Sequence, residues 1–322
     1  MLQVEHLTKR YGAVTAVNDL SFEIAGAGVY GFLGPNGAGK STTMNIMTGC
    51  LSATRGTVKI SGYDIYEDPR EAKRRVGYLP EQPPLYLGET PEEYLRFVGE
   101  AKGLRGAELR RQIASVIDET GIGDMKNRRI SALSKGYRQR VGIAQALLGE
   151  PDTVILDEPT VGLDPIQILE IRALIGQLGE SRTVLISSHI LSEVQAMCSR
   201  ILIISHGKLV AFDAPDALEA RLASPGEITV TAETDAASAE ALIAGIPGVS
   251  AVTAVSDSPG RSRLTVSAGG GDIYALSKEI FLAFAASGAA LCELGVKKAS
   301  LEDIFLELTE KEPETGKEAE SA

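Results

Sequence analysis

No uninterrupted apolar run in this 322-residue chain approaches the roughly 18–20 residues needed to span a bilayer. The nearest stretch, Ile280 to Ala290, is too short and too rich in small residues, and reads as a packed surface helix. The N-terminus starts almost directly with a strand-like segment and has no signal-peptide pattern, so a membrane role has to pass through a partner. Cysteine is scarce. Cys50, Cys198 and Cys292 lie far apart, match no metal or redox spacing, and read as small buried side chains in a reducing compartment. Positive charge is also in deficit, with 32 Lys and Arg against 43 Asp and Glu and a net charge of −11, which argues against a broad nucleic-acid surface. A hydrophobic content of 44% is ordinary for a globular protein, and the length suits two domains better than one.

Against these absences stands one strong motif, Gly34-Pro35-Asn36-Gly37-Ala38-Gly39-Lys40-Ser41-Thr42. The apolar run Val29–Leu33 precedes it and the helix-compatible Thr43–Met47 follows, which is the strand–loop–helix context of a phosphate-binding loop. Glycines at 34, 37 and 39 let the backbone wrap and aim N–H groups at phosphate oxygens, and the following helix start adds positive potential. Lys40 is placed to reach the terminal phosphates and Ser41 to ligate magnesium.

The rest of the chain reads as α/β. Leu2–Leu7 and Leu20–Ile24 alternate as antiparallel strands do. Val29–Leu33, Val154–Asp157, Val184–Ser187 and Ile201–Ser205 are continuously apolar, as central parallel strands are. Ile166–Leu178 and Leu191–Met197 are helical. Residues 88–132 predict a helical subdomain: Thr90 and Glu93 form a capping box ahead of one helix, and a second runs from Gly106 to Glu119. These segments make residues 1–215 a nucleotide-binding domain, with 216–226 as a linker around Ser224-Pro225-Gly226. Beyond it the order β-α-β-β-α-β predicts a ferredoxin-like α+β domain over 227–310, its hairpin turning through Asp257–Arg261 and a closing helix starting at Ser300. Residues 311–322 predict a disordered acidic tail.

Other residues carry chemistry by position. Thr153–Leu156 is a buried strand that ends in Asp157 and Glu158. Asp157 is placed to bind magnesium and Glu158 to polarise the water that attacks the γ-phosphoryl group, and strand alternation aims the two differently. Tyr11, before Gly12, offers a ring for the adenine. His189 follows strand Val184–Ser187 at a sheet edge where ligands collect, able to contact the γ-phosphate through one ring nitrogen. Gln82, after Val76–Pro80, can ligate magnesium or contact water. His6 and His206 read as surface residues. Ser134, with the backbone donors near Gly136, makes a second anion-binding helix start before Val141–Leu148. One nucleotide does not need two such sites, so the second suits another subunit's phosphate.

Over residues 1–215 this set resembles the ATP-binding subunit of an ABC transporter. The phosphate loop Gly34–Thr42, a glutamine loop with Gln82, the signature Leu133–Tyr137, the pair Asp157–Glu158, the loop Gly162-Leu163-Asp164 and the switch histidine His189 occur in that order. Lys135 stands where the usual signature has glycine, and Tyr137 where it has glutamine. The resemblance implies a P-loop NTPase core with a helical subdomain. It further implies ATP and Mg2+ as ligands, and a head-to-tail homodimer in which each phosphate loop faces the partner copy's signature helix. Leu301–Phe305 and Leu133–Arg140 resemble the ABC-2 export class, within it the gliding-motility and multidrug-type ATPases. That class implies a separate multispanning permease docking at the helical subdomain, a cytoplasmic position on the inner face of the membrane, and no direct nucleic-acid partner. The other readings are a soluble ABC-type ATPase of repair or translation, against which the lack of a long coiled-coil insertion counts, and a regulatory nucleotide-binding protein, against which the Asp157–Glu158 pair counts.

Overall fold

A computed structural model describes residues 1–222, 226–258, 260–269 and 271–297. The expected closing helix from Ser300 and the acidic tail lie outside them. Two compact units part at Pro215.

The first unit holds two sheets. Strands β1 (Leu2–Tyr11), β2 (Val14–Ile24), β4 (Arg55–Ile60) and β5 (Tyr63–Asp64) form an antiparallel sheet in the order β2-β1-β4-β5. Strands β3 (Gly28–Leu33), β6 (Val76–Leu79), β7 (Thr153–Leu156), β8 (Thr183–Ser188), β9 (Arg200–Ser205) and β10 (Lys208–Asp213) form the second, ordered β10-β9-β3-β8-β7-β6. All its pairs are parallel except β9–β10. Every residue of β7 and β8 is buried, which is why these strands read as unbroken apolar runs. The core between the sheets is closed by Phe22, Phe32, Met44 and Met47, the two phenylalanine rings 6.2 Å apart.

Parallel strands place their C-terminal ends along one edge, and here that edge collects the functional loops. The loop from β3 enters helix α1 (Lys40–Met47). Helix α2 (Pro69–Arg74) leads into β6, and the loop after β6 leads to α3 (Pro91–Ala101) and α4 (Gly106–Glu119). Helix α5 (Lys135–Leu147) returns the chain to β7, α6 (Pro165–Gly179) joins β7 to β8, and α7 (Leu191–Met197) joins β8 to β9.

The capping box at α3 is present: Thr90 Oγ1 accepts from the Glu93 backbone N–H at 3.3 Å, and Glu93 Oε2 accepts from the Thr90 N–H at 2.9 Å. Thr90→Ala is expected to lower stability by about 1 kcal/mol, read as a reduced urea midpoint with unchanged slope.

Between the two strand sets, β4, β5 and α2 had no counterpart in the sequence pattern, because each is six residues or shorter and only Val58, Ile60, Asp64 and Ala72 among their residues are buried. Much of the expected linker is helix α8 (Pro215–Leu222), begun by a proline and an acidic residue, both suited to a helix start. The cysteine expectation also needs correction. Cys198 is buried, and burial pushes its thiol up to about 12, but Cys50 and Cys292 are exposed. Cys50 stands in the turn after α1, and Cys292 on β14 (Leu291–Lys297), an edge strand.

The second unit contains β11 (Glu227–Ala232), α9 (Ala236–Ala244), β12 (Val249–Ser258), β13 (Arg261–Ala268), α10 (Ile273–Ser287) and β14, the split β-α-β-β-α-β order. Its sheet runs β12-β13-β11-β14, all antiparallel, over a core that includes Ile228, Val230, Leu264, Val266, Ile280 and Phe284.

Candidate active site

At the C-terminal edge of the parallel sheet opens a cleft of about 370 Å³ lined by Ala16, Asn36, Gly37, Gly39, Lys40, Ser41, Thr42, Glu81, Glu158, Val161 and His189. Its floor is the loop from β3. Gly39 sits at φ 101°, and a Cβ there would run into the Ala16 carbonyl oxygen, so this position admits only glycine without strain. Gly34 is packed against the Ile204 backbone. Helix α1 starts at Lys40 with no side-chain cap, whereas α3, α5 and α6 are capped by Thr90, Ser134 and Asp164. Its first N–H groups have no intrahelical acceptor and are free to meet an anion.

Lys40 folds back over the loop, its Nζ donating to the carbonyls of Gly34 at 2.6 Å and Pro35 at 3.2 Å. Burial lowers its pKa, opposed by the negative charge of Glu158 and Asp157. A cation withdrawn from water is stabilised further by an anion brought beside it.

The two acids diverge. Asp157 is 3% exposed and accepts a 2.5 Å hydrogen bond from Ser187 Oγ. The same hydroxyl accepts from the Glu158 N–H at 2.8 Å, so Ser187 at the end of β8 orients both. Glu158 has φ 49°, a left-handed conformation that a non-glycine residue adopts at a cost and that turns its side chain into the cleft. Its carboxylate meets His189 Nδ1 at 3.0 Å. Ser187 was not singled out from sequence. The signal was there, a pair of serines, Ser187 and Ser188, closing a strand whose middle positions are apolar.

Residues expected at the site divide. Asn36, Gly37, Gly39, Lys40, Ser41, Thr42, Glu158 and His189 share the cleft, with Gly34 and Asp157 directly behind. Tyr11 does not line it. Strand β1 extends to include Tyr11, whose ring is 48% exposed with Lys9 Nζ 5.2 Å from its centroid, and Ala16 of β2 takes the place beside the loop. Gln82 is exposed and does not line the cleft, whereas its neighbour Glu81 does. Ser134 caps α5 by accepting from the Tyr137 N–H at 3.4 Å, but neither it nor Gly136 touches this cleft.

The donors fit the implied ligands. The Ser41 hydroxyl and the Asp157 carboxylate are hard oxygen donors of the type magnesium takes, and the uncapped glycine-lined helix start suits a triphosphate.

Comparison with known proteins agrees with this geometry. Residues 17–161 match the family described as ABC transporter. The linearmycin resistance ATP-binding protein LnrL of Bacillus subtilis (strain 168) is 33% identical over 314 residues, 96% of this chain and 98% of that protein. The bacitracin transport ATP-binding protein BcrA of Bacillus licheniformis is 38% identical over 212 residues, 65% of this chain and 68% of that one. A solved ATP-binding subunit of an ABC transporter superposes with a TM-score of 0.62 at 32% identity, covering 69% of this chain and 92% of that one. The dimeric bacterial cassette MJ0796 superposes with a TM-score of 0.60 at 26% identity, covering 66% and 98%. With a phosphate-binding cleft of this build and a relative matched over nearly its full length, the chain belongs to the ABC transporter family of ATP-binding subunits.

Proposed function

We propose that two copies of this chain hydrolyse ATP at shared pockets and drive a separate multispanning permease of the ABC-2 export class. The observation that carries the reading is the division of the anion sites. One uncapped helix start lies in the cleft with Lys40, Glu158 and His189, and another helix start, capped by Ser134 and followed by Gly136, lies outside it in the same chain. A second copy facing head to tail brings the two together, and MJ0796, of like fold, is described as a dimer. Export is favoured by relatives named for linearmycin resistance and bacitracin transport, the first matched through the second unit as well.

In the pocket, Gly37 to Thr42 hold phosphate oxygens with backbone N–H groups and Lys40 neutralises their charge. Ser41 and Asp157 would hold magnesium, which supplies charge neutralisation between the phosphates. Glu158 takes a proton from the attacking water, and His189, in contact with that carboxylate, holds it in place. Tyr11 would stack on adenine from the rim, and Gln82 would reach the metal only after the loop that follows β6 turns.

Among the described residues no helix is long and apolar enough to cross a membrane. The permease then holds this chain at the cytoplasmic membrane face, without nucleic acid. A cleft of about 680 Å³ between α2 and the helical subdomain supports docking there. Arg70, Lys73, Arg74 and Lys102 line it over an apolar floor of Leu104 and Leu148, and no lining residue is acidic although the chain carries a net charge of −11. An amphipathic permease segment bearing carboxylates fits this chemistry. Co-purification from membranes is expected to recover a multispanning protein with the native chain. The triple reversal Arg70→Glu, Lys73→Glu, Arg74→Glu is expected to release it while ATP binding persists. Recovery of ribosomes or DNA in place of a membrane protein would overturn the transport reading.

A further inference from the structure

Glu193 has no part in the chemistry above, yet its carboxylate is buried. It stands on α7, four residues beyond His189, and is 7% exposed. Its Oε2 accepts a 2.5 Å hydrogen bond from Thr160 Oγ1, and Thr160 is itself 4% exposed. A carboxylate withdrawn from water is costly unless it is bonded well, so its short contact with Thr160 bears on the geometry of whatever carries the partner. Thr160 lies two residues after Glu158, at the head of the loop that runs through Val161, which lines the cleft, to Asp164, the cap of α6.

On the other side of this loop the Lys135 side chain lies close against Gly162. Gly162 has φ 68°, and the three atoms nearest to a Cβ there all belong to the Lys135 side chain, its Nζ foremost. Lys135 is the first residue of α5, beside Ser134 and Gly136. Farther along, α5 and α6 are joined by Arg140 and Glu170 at 3.0 Å, and the Gln167 side chain fills the space over Gly136.

We propose that Glu193 and Lys135 are positioning residues that grip the loop 160–163 from opposite sides. They thereby join the Glu158–His189 pair to the helix start at Ser134–Gly136 within one chain. The inference rests on the shared-pocket reading. When α5 meets a partner's triphosphate, Lys135 carries the displacement to Gly162, and the Thr160–Glu193 bond ties the loop to α7, just beyond His189, which meets the Glu158 carboxylate. The usual glycine at position 135 offers no such handle.

Hydrogen–deuterium exchange on the nucleotide-free full chain tests the grip without any need for turnover. Glu193→Ala is expected to raise amide exchange in residues 160–163 about tenfold, leaving β7 and the phosphate loop unchanged. Glu193→Gln keeps an oxygen for Thr160 and should stay within about twofold of the native chain. In steady-state assays Glu193→Ala should lower kcat about tenfold with KM for ATP within about twofold, and Lys135→Met should reduce kcat and flatten the ATP dependence. Thr160→Val against Thr160→Ser gives the same comparison should Glu193→Ala fail to fold. Unchanged exchange in 160–163, or kcat and KM falling together with the melting temperature, overturns the proposal. A native chain with no ATP turnover would defeat the proposed function instead, and the exchange result would still decide the grip.

Discussion

Glu158→Gln is expected to lower ATP turnover by about 10²–10³-fold while ATP still binds. The amide keeps the size of the side chain and can still contact His189, so the Ser187 bonds to the Glu158 N–H and to Asp157 have no reason to change. In the proposed mechanism what is lost is the proton acceptor beside the attacking water. Since closure of two copies precedes hydrolysis in this scheme, the variant should also accumulate as an ATP-dependent dimer. Phosphate release assays and size-exclusion chromatography read both effects, and native turnover in this variant would remove Glu158 from its role. Strain at φ 49° adds a control. Glu158→Gly relieves the backbone but supplies no base, so restored backbone comfort without restored turnover separates geometry from chemistry.

A mixture of two inactive chains should be active. Lys40→Ala removes the cation of the phosphate loop, and Ser134→Arg obstructs the helix start outside the cleft. In a two-fold dimer with shared pockets, a heterodimer of these variants has one pocket spoiled twice and one with both halves intact. Random assortment of an equal mixture should then recover about a quarter of native turnover from two nearly inactive parents. If each chain made its whole pocket alone, mixing would restore nothing, because neither chain carries both intact residues. The readout is ATPase rate against mixing ratio, with a maximum at equal amounts.

Much of the site was legible because it is local. The phosphate loop joins strand to helix within nine residues, and the glycine spacing, the lysine and the hydroxyl need no distant partner to be recognised. The Thr90–Glu93 box and the split order of the second unit were legible for the same reason. Tyr11 and Gln82 were harder. Neither lines the cleft, and the adenine and metal roles read for them depend on a bound nucleotide and on loop positions that local pattern does not specify. Cys50 and Cys292 show the limit of a compositional rule, since a turn and an edge strand expose what average usage buries.

Sequence alone therefore determined the phosphate-loop motif, the α/β class and the order of most elements, since these follow from short-range backbone and side-chain patterns. Tertiary structure alone decided that Ser187 orients both acids, that Glu81 rather than Gln82 faces the cleft, and that Thr160 meets Glu193. Those contacts join residues from different strands and helices, and only the parallel stacking that brings β3, β7 and β8 to one edge sets them within bonding distance.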